Sequence, residues 1–368
     1  MNAKNKYFNY YKPLIDEFLK KVEKIELPEI EKMPEPFLNY FGKEYFSAQQ
    51  RIVFVGQDTK WWGDLRQFIK SEKEKPLSKL EEGFTSFWNH DFRDWGANRY
   101  HFWGFIMMFF AQAHGIKADD WTSIKLDKYS NTLDSFAWAN CQPIEYYEST
   151  AKGLGVSREI WEKVREAGRV FYGIKHVIKA LSPHVVVLLH KNVDDYFEDI
   201  ELVPKSESKY YGHYVIEDKG IHVIKLCHPN YMRMISSEMP AEEFASWLNK
   251  KLFSIKQDSL IDPERSGEQK IIAKIQKIKR PDSKYDFIFE LAKQLREGNM
   301  FMSYRGLLKI LNDFNYRTDK GTEYVIDAKR CRVVSAAYKR AKSEKLDEDL
   351  ADTIATVFVR PDFTYKYD

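Results

Sequence analysis

The chain has 368 residues, 43% of them hydrophobic and 15% aromatic, with a formal net charge of +3. This is enough apolar material for one large and one small globular domain. Three widely spaced cysteines, Cys141, Cys227 and Cys331, exclude a disulfide scaffold and cannot by themselves build a four-thiolate cluster or a four-cysteine zinc site.

The most apolar stretch, Phe102 to Ala113, is too short to span a bilayer. The N-terminus leads into a polar, aromatic segment, so no secretory signal is expected. The sparse, odd cysteine count fits a reducing, cytoplasmic compartment (nucleoid-associated in a bacterium). The small net charge hides an asymmetry. From Ser266 onward, basic residues outnumber acidic ones by 21 to 16, which points to a polyanion partner for that end.

Leu14, Phe18, Val22 and Ile25 predict an amphipathic helix over 7–25. Pro28, Pro34 and Pro36 then break the chain. Arg51-Ile-Val-Phe-Val55 reads as a first strand running into Gly56-Gln57-Asp58. Residues 70–83 are a charged insertion, expected as a solvated loop or short helix. Arg99 to His114 is an apolar helix, and 136–139 a second strand ending at Asn140. Residues 157–181 read as one long helix capped by Ser157. A third strand, 185–189, runs into His190, and a fourth, 222–227, into His228-Pro229. A last helix opens at Pro240.

Strands apolar on both faces, alternating with helices, predict an α/β fold: an open parallel four-stranded sheet with helices on both faces. That domain is expected over 1–256, with 257–267 as a linker. The domain over 268–368 is expected to be mostly helical, with helices at 268–279, 284–297, 303–313 and 324–342. A hairpin or wing is expected from 354–359 and 364–367.

Ligands of open parallel sheets bind beyond the carboxyl ends of the strands. Asp58, Asn140 and His228 are therefore candidates to line one pocket despite their distance in sequence. Each also has a plain structural use: Asp58 as a helix cap, Asn140 as a turn former, His228 as a buried histidine before proline. His190 shares the strand-end position, but a surface or core role suits it better. His101 and His114 show no ligand spacing. No Gly-x-Gly-x-x-Gly or Gly-Lys-Ser/Thr phosphate loop occurs.

Val55-Gly-Gln-Asp58 resembles the first motif of uracil-DNA glycosylases, and His228-Pro-Asn-Tyr-Met-Arg233 resembles their second, a His-Pro-Ser loop. Asn140 falls where that superfamily places its base-reading asparagine. The resemblance covers roughly residues 45–250. It implies a monofunctional DNA glycosylase without metal or cofactor, acting on uracil or a modified pyrimidine flipped out of DNA. Asp58 would stabilise the oxocarbenium-like sugar and orient water. His228, as neutral imidazole, would stabilise the departing base. Asn140 would read the base edge, with Gly56 and Gln57 helping to hold it. Met232 would wedge into the gap left in the duplex, and Arg233 would meet a phosphate.

Where the family reads Pro-Tyr-His, this chain reads Thr59-Lys60-Trp61-Trp62, and Asn230-Tyr231 replaces Ser-Pro. A roomier pocket for a 5-substituted or bulkier pyrimidine is therefore expected, with Trp61, Trp62, Phe84 or Phe87 stacking on it. Such an activity would serve repair or defence against modified foreign DNA. The competing expectation is a DNA-binding or sensing protein on the same fold without turnover.

Ser303 to Tyr324 is similar to the helix-turn-helix segment of serine recombinases. Thr318-Asp-Lys-Gly321 matches their turn, and Tyr324 the aromatic residue that opens the recognition helix. On a helix over 324–342, Val334, Ala337, Tyr338 and Ala341 share one side. Lys329, Arg332, Lys339 and Arg340 share the other, where they would meet DNA. DNA is the expected partner; no membrane is expected, and no protein partner is indicated.

Overall fold

A computed structural model describes residues 3–27, 33–58, 62–81, 101–113, 135–147, 156–190, 194–198, 200–236, 238–258, 260–261, 282–326, 331–343 and 348–359. The chain divides into two compact units, Lys4–Lys251 and a smaller one from Leu252 onward.

The large unit opens with helix α1 (Ala3–Val22). Its buried stripe is Tyr7, Tyr11, Ile15, Phe18 and Val22, spaced three and four residues apart as a core-facing helix requires. Phe18 and Val22 are in it as expected, while Leu14 and Ile25 are only partly buried; Ile15 takes the place of Leu14, and the stripe starts earlier, at Tyr7. There follow β1 (Tyr40–Phe41), β2 (Ile52–Gly56), α2 (Leu65–Glu74), α3 (His101–Ala113), β3 (Phe136–Asn140), α4 (Arg158–Gly168) and α5 (Ile174–Leu181). Then come β4 (Val185–Leu188), β5 (Val203–Glu207), β6 (Tyr211–Ile216), β7 (Ile221–Leu226), α6 (Pro229–Met234) and α7 (Ala241–Asp258).

The sheet is seven-stranded and mixed, in the order β1-β3-β2-β4-β7-β6-β5. This corrects the four-stranded parallel expectation. The four expected strands, β3-β2-β4-β7, form a parallel centre. Antiparallel β1 borders β3, and the β5–β6 hairpin borders β7. The extra strands carry weak signals. β1 has two residues, and most of β5, Val-Pro-Lys-Ser-Glu, is exposed. An edge strand can hold proline and lysine because it needs no full ladder.

Alternation along β2 and β3 sorts the two faces of the sheet. Val53, Val55, Ala137 and Ala139 join α1, α2, α4 and α5 in one core. Phe54 and Phe136 turn the other way, onto Phe110 of α3 at 6.1 and 5.3 Å between ring centroids. Helices thus cover both faces.

Two helix expectations change. The span 157–181 is broken between α4 and α5, where Gly173 adopts φ +105°, a conformation closed to most residues with a side chain. Ser157 does cap α4, accepting the Ile160 N–H. The charged insertion is organised around a buried group: Glu72 is 3% exposed and accepts N–H bonds from Leu77 and Lys79 at 2.7 and 2.9 Å.

The smaller unit contains β8 (Leu260–Ile261), α8 (Lys284–Glu297), β9 (Phe301–Ser303), α9 (Tyr304–Asp313), α10 (Arg332–Ser343), α11 (Glu348–Val357) and β10 (Phe358–Val359). Its strands form a parallel sheet, β10-β9-β8, and Phe287, Leu291, Leu307, Leu311, Val334 and Ile354 lie in its core. The first residues of the expected linker are ordered as the end of α7 and as β8. Residues 262–270, the expected 268–279 helix and 360–368 lie outside the described residues.

Two expectations here are overturned. Ile354–Val357 is helical, so 354–359 is not one arm of a hairpin. Tyr324 does not open a helix: Asn312 Oδ1 accepts its N–H at 2.8 Å and Asn312 Nδ2 donates to its carbonyl at 2.9 Å. This two-point clasp holds Tyr324 in irregular chain, and the helix begins at Arg332.

Candidate functional site

Parallel pairing of β3, β2, β4 and β7 brings four strand ends to one edge of the sheet. In order they are Asn140, Gly56-Gln57-Asp58, His190 and His228. Neighbouring strands lie about 4.8 Å apart, so the strands of Asp58 and His228 are about 10 Å apart, with β4 between them. Pairing continues past the strands: Cys141 N–H donates to Gly56 O at 2.8 Å and Gln142 N–H to Gln57 O at 3.1 Å.

Asp58 is half-buried. Its Oδ2 accepts the Tyr146 N–H at 3.1 Å, which ties the end of β2 to the chain leaving β3. Glu145, 1% exposed, makes a second tie, accepting the Trp62 N–H at 2.8 Å. Its carbonyl takes the Trp161 indole N–H at 2.7 Å. Both crossings are made by carboxylates accepting backbone N–H groups, bonds stronger than neutral ones.

Asn140 is 7% exposed. Gly56, paired with it in register, leaves it room. A Cβ on Gly56 would stand 2.6 Å from Asn140 Oδ1 and 3.2 Å from Phe102 Cε2. The glycine here serves close side-chain approach. Gln57 is half-buried beside it.

The Nδ1 of His228 accepts the Asn230 N–H at 3.1 Å. A neutral imidazole that accepts at Nδ1 carries its proton at Nε2, so His228 offers an Nε2–H donor. Burial first, then the neighbouring His190 and His101, hold its pKa below the usual histidine value, and the neutral form dominates at pH 7. Burial also lowers the pKa of His190, whose Nδ1 is buried without a hydrogen-bond partner.

His190 and His101 are the site members that sequence reasoning discounted. His190 ends a central strand, a signal that was present. His101 opens α3, and nothing in its neighbours along the chain points to the end of β7. Among the described residues, no group of three or more His, Cys, Asp or Glu side chains is placed to hold a metal ion.

Met232 is fully buried, so it does not stand out of α6 as a wedge. A short helix after His228-Pro229 turns that position inward. The apolar side chains it presents outward are Tyr231, 44% exposed, and Met234, 77% exposed. Trp61, Phe84, Phe87, Lys329 and the Arg233 side chain lie outside the described residues. Trp62 packs edge-on to Trp138 at 5.5 Å. In the smaller unit, Arg332 and Lys339 are exposed on α10, while Arg340 lies over the Tyr285 ring at 5.2 Å.

No family model matches the chain, and no curated protein is significantly similar to it. No helix among the described residues is long and apolar enough to cross a membrane.

Proposed function

We propose that the large unit is a monofunctional DNA glycosylase. It would hydrolyse the N-glycosidic bond of a flipped-out uracil or modified pyrimidine and leave an abasic site. The observation that carries this reading is the gathering of a carboxylate, an amide and a neutral imidazole on one edge of one sheet, with His228 holding its proton on Nε2.

In that reading, Asp58 stabilises positive charge developing on the sugar and orients the attacking water. The His228 Nε2–H donates to the base oxygen that gains negative charge as the bond breaks. A preorganised donor aimed at such an oxygen contributes about 3 kcal/mol. Asn140 binds the base edge. Tyr231 and Met234, the outward apolar side chains of α6, take the wedge role expected of Met232. Exposed Arg332 and Lys339 on α10 would add phosphate contacts and general DNA affinity.

One observation favours the second reading, a DNA-binding protein without turnover: Asp58 Oδ2 already serves as a backbone tie through Tyr146. Release of free base from oligonucleotides carrying uracil, mismatched thymine or modified cytosines separates the two. Abasic sites are expected with at least one of them. Binding with no release of any base would establish the sensor.

A further inference from the structure

The smaller unit holds an open cleft of about 660 Å³, a size that suits a small-molecule ligand. Three stretches of chain meet there. Lys284 and Tyr285 open α8, Asn315 and Arg317 follow α9, and Arg340 lies on α10. Among the residues that line it, three cations stand against a single carboxylate, that of Asp282.

The cations are set deep and their acidic partners shallow. The Lys284 side chain is 15% exposed, and its ion-pair partner Asp319 is 86% exposed. Arg317 is likewise far less exposed than its partner Glu323. Ion pairs to acids this exposed contribute little, so an incoming anion displaces them at small cost. Nor do the cations depend on those acids for position. Arg317 donates to Asn315 Oδ1 at 2.8 Å and to the Tyr316 carbonyl at 3.0 Å. Lys284 donates to the Arg317 carbonyl at 3.3 Å. The Arg340 guanidinium rests over the Tyr285 ring at 5.2 Å, a cation–π contact that holds it in place. The cluster is therefore organised before any ligand arrives, which lowers the cost of binding one.

We propose that this cleft binds a nucleotide by its terminal phosphate, with the base stacked on the Arg340 guanidinium. A phosphomonoester near pH 7 carries close to two negative charges and offers three oxygens to the three cations. A carboxylate has two oxygens and one charge, and a phosphodiester inside a strand has one charge. Planar guanidinium groups suit both parts of such a ligand, since they grip phosphate oxygens and stack on rings. The site uses no residue of the large sheet, so it stands whether or not the glycosylase reading holds. A free nucleotide and the phosphorylated end of a strand share this chemistry.

Two matched pairs test the proposal by calorimetric titration of the full-length protein. One is thymidine 5′-monophosphate against thymidine. The other is a single strand with a 5′-phosphate against the same strand with a 5′-hydroxyl. The phosphorylated member of at least one pair is expected to bind roughly tenfold tighter or more, the scale of a charge-assisted contact. Preference in the first pair assigns a free nucleotide, and preference in the second alone assigns a strand end.

Asn315→Asp places the effect in the cleft. It keeps the acceptor for Arg317 and adds a negative charge to the lining. Asn315 has φ +62°, a conformation that aspartate also adopts, so the variant should fold. The preference for phosphate is expected to fall roughly tenfold in it, with thymidine and the hydroxyl strand unaffected. Should it fail to fold, Arg340→Gln decides, with the same loss expected. Lys293→Ala, which removes an exposed cation of α8 outside the cleft, is expected to change nothing. Equal affinity within both pairs, or a preference that survives intact in the folded cleft variant, overturns the proposal.

Discussion

The carboxyl edge of the large sheet and the turn before α10 in the smaller unit are both marked by short sequence motifs. They differ in what holds the motif in place. At the sheet edge, parallel register fixes where each strand ends, so a polar residue after an apolar run has a determined position. In the smaller unit, the motif is defined by local spacing, and one side chain redirects the chain after it, while Lys284 of α8 reaches the turn itself at Arg317 O and Asp319. Asn312 clasps both backbone groups of Tyr324, and the expected recognition helix loses its opening turn. A motif carried by long-range pairing survives into geometry better than one carried by local spacing.

The largest expected effect at the sheet edge belongs to Asp58. If the sheet edge is a catalytic site, Asp58→Asn should lower base release on the order of a thousandfold, the scale for losing one preorganised electrostatic group, while DNA binding stays within a fewfold. The asparagine can still accept the Tyr146 N–H, so the tie between loops is kept. Single-turnover cleavage checks the rate and a gel shift checks binding. Wild-type rates in the variant would reduce the carboxylate to a loop fastener.

The parallel centre was legible because buried central strands must be apolar on both faces, and runs such as Val185-Val-Val-Leu188 have few other uses. The edges were not. A two-residue β1 and an exposed β5 containing proline carry almost no periodic signal. Asp58, Asn140 and His228 could be named from strand ends alone. His101 could not, since only tertiary packing brings it near His228. The buried Met232 shows the same limit in reverse: its role depended on a loop, and the chain forms a helix there.

The clasp in the smaller unit is the next place to press. Asn312→Ala removes an acceptor and a donor that satisfy the Tyr324 backbone, and should destabilise the protein by about 2 kcal/mol. Denaturant unfolding followed by fluorescence measures this. Loss of the clasp also frees residues 324–326 from irregular chain. A gain in far-ultraviolet helicity would show that Asn312 alone opposes the longer helix. No change in stability would mean that the turn is held elsewhere, for example by Lys284 at Arg317 O and Asp319.

Acid should act mainly on the large unit. His176 and His213 are pushed down to about 4, mainly by burial and then by neighbouring cations: Lys175 and Lys179 for the first, Lys251, His222 and Lys205 for the second. Their unfolded forms titrate near 6.5. Between these values the unfolded chain binds protons that the folded one refuses, so stability is full above pH 6.5 and falls as pH drops toward 4. Melting temperature measured across that window should decline, and His176→Gln should flatten the decline. At the site, burial and the neighbouring His190 and His101 lower the His228 pKa, so any loss of cleavage through its protonation should have its midpoint below the ordinary histidine value near 6.5. A midpoint at or above 6.5 would point to a protonated imidazole.

The smallest effect belongs to the exposed cations of α10. Of the expected basic residues that are described, Arg332 and Lys339 are exposed on α10 and Arg340 is engaged with Tyr285. Each phosphate contact adds roughly 0.9 to the slope of log affinity against log salt. Arg332→Ala with Lys339→Ala should therefore weaken DNA binding only severalfold near physiological salt, but lower that slope by about 2. The slope is the sharper readout because a general loss of folding does not change it in this way. Titrations of one duplex at four salt concentrations suffice. An unchanged slope would remove α10 from the DNA interface and leave any nucleic-acid contact to the large unit, where Tyr231 and Met234 already stand out of the fold beside His228.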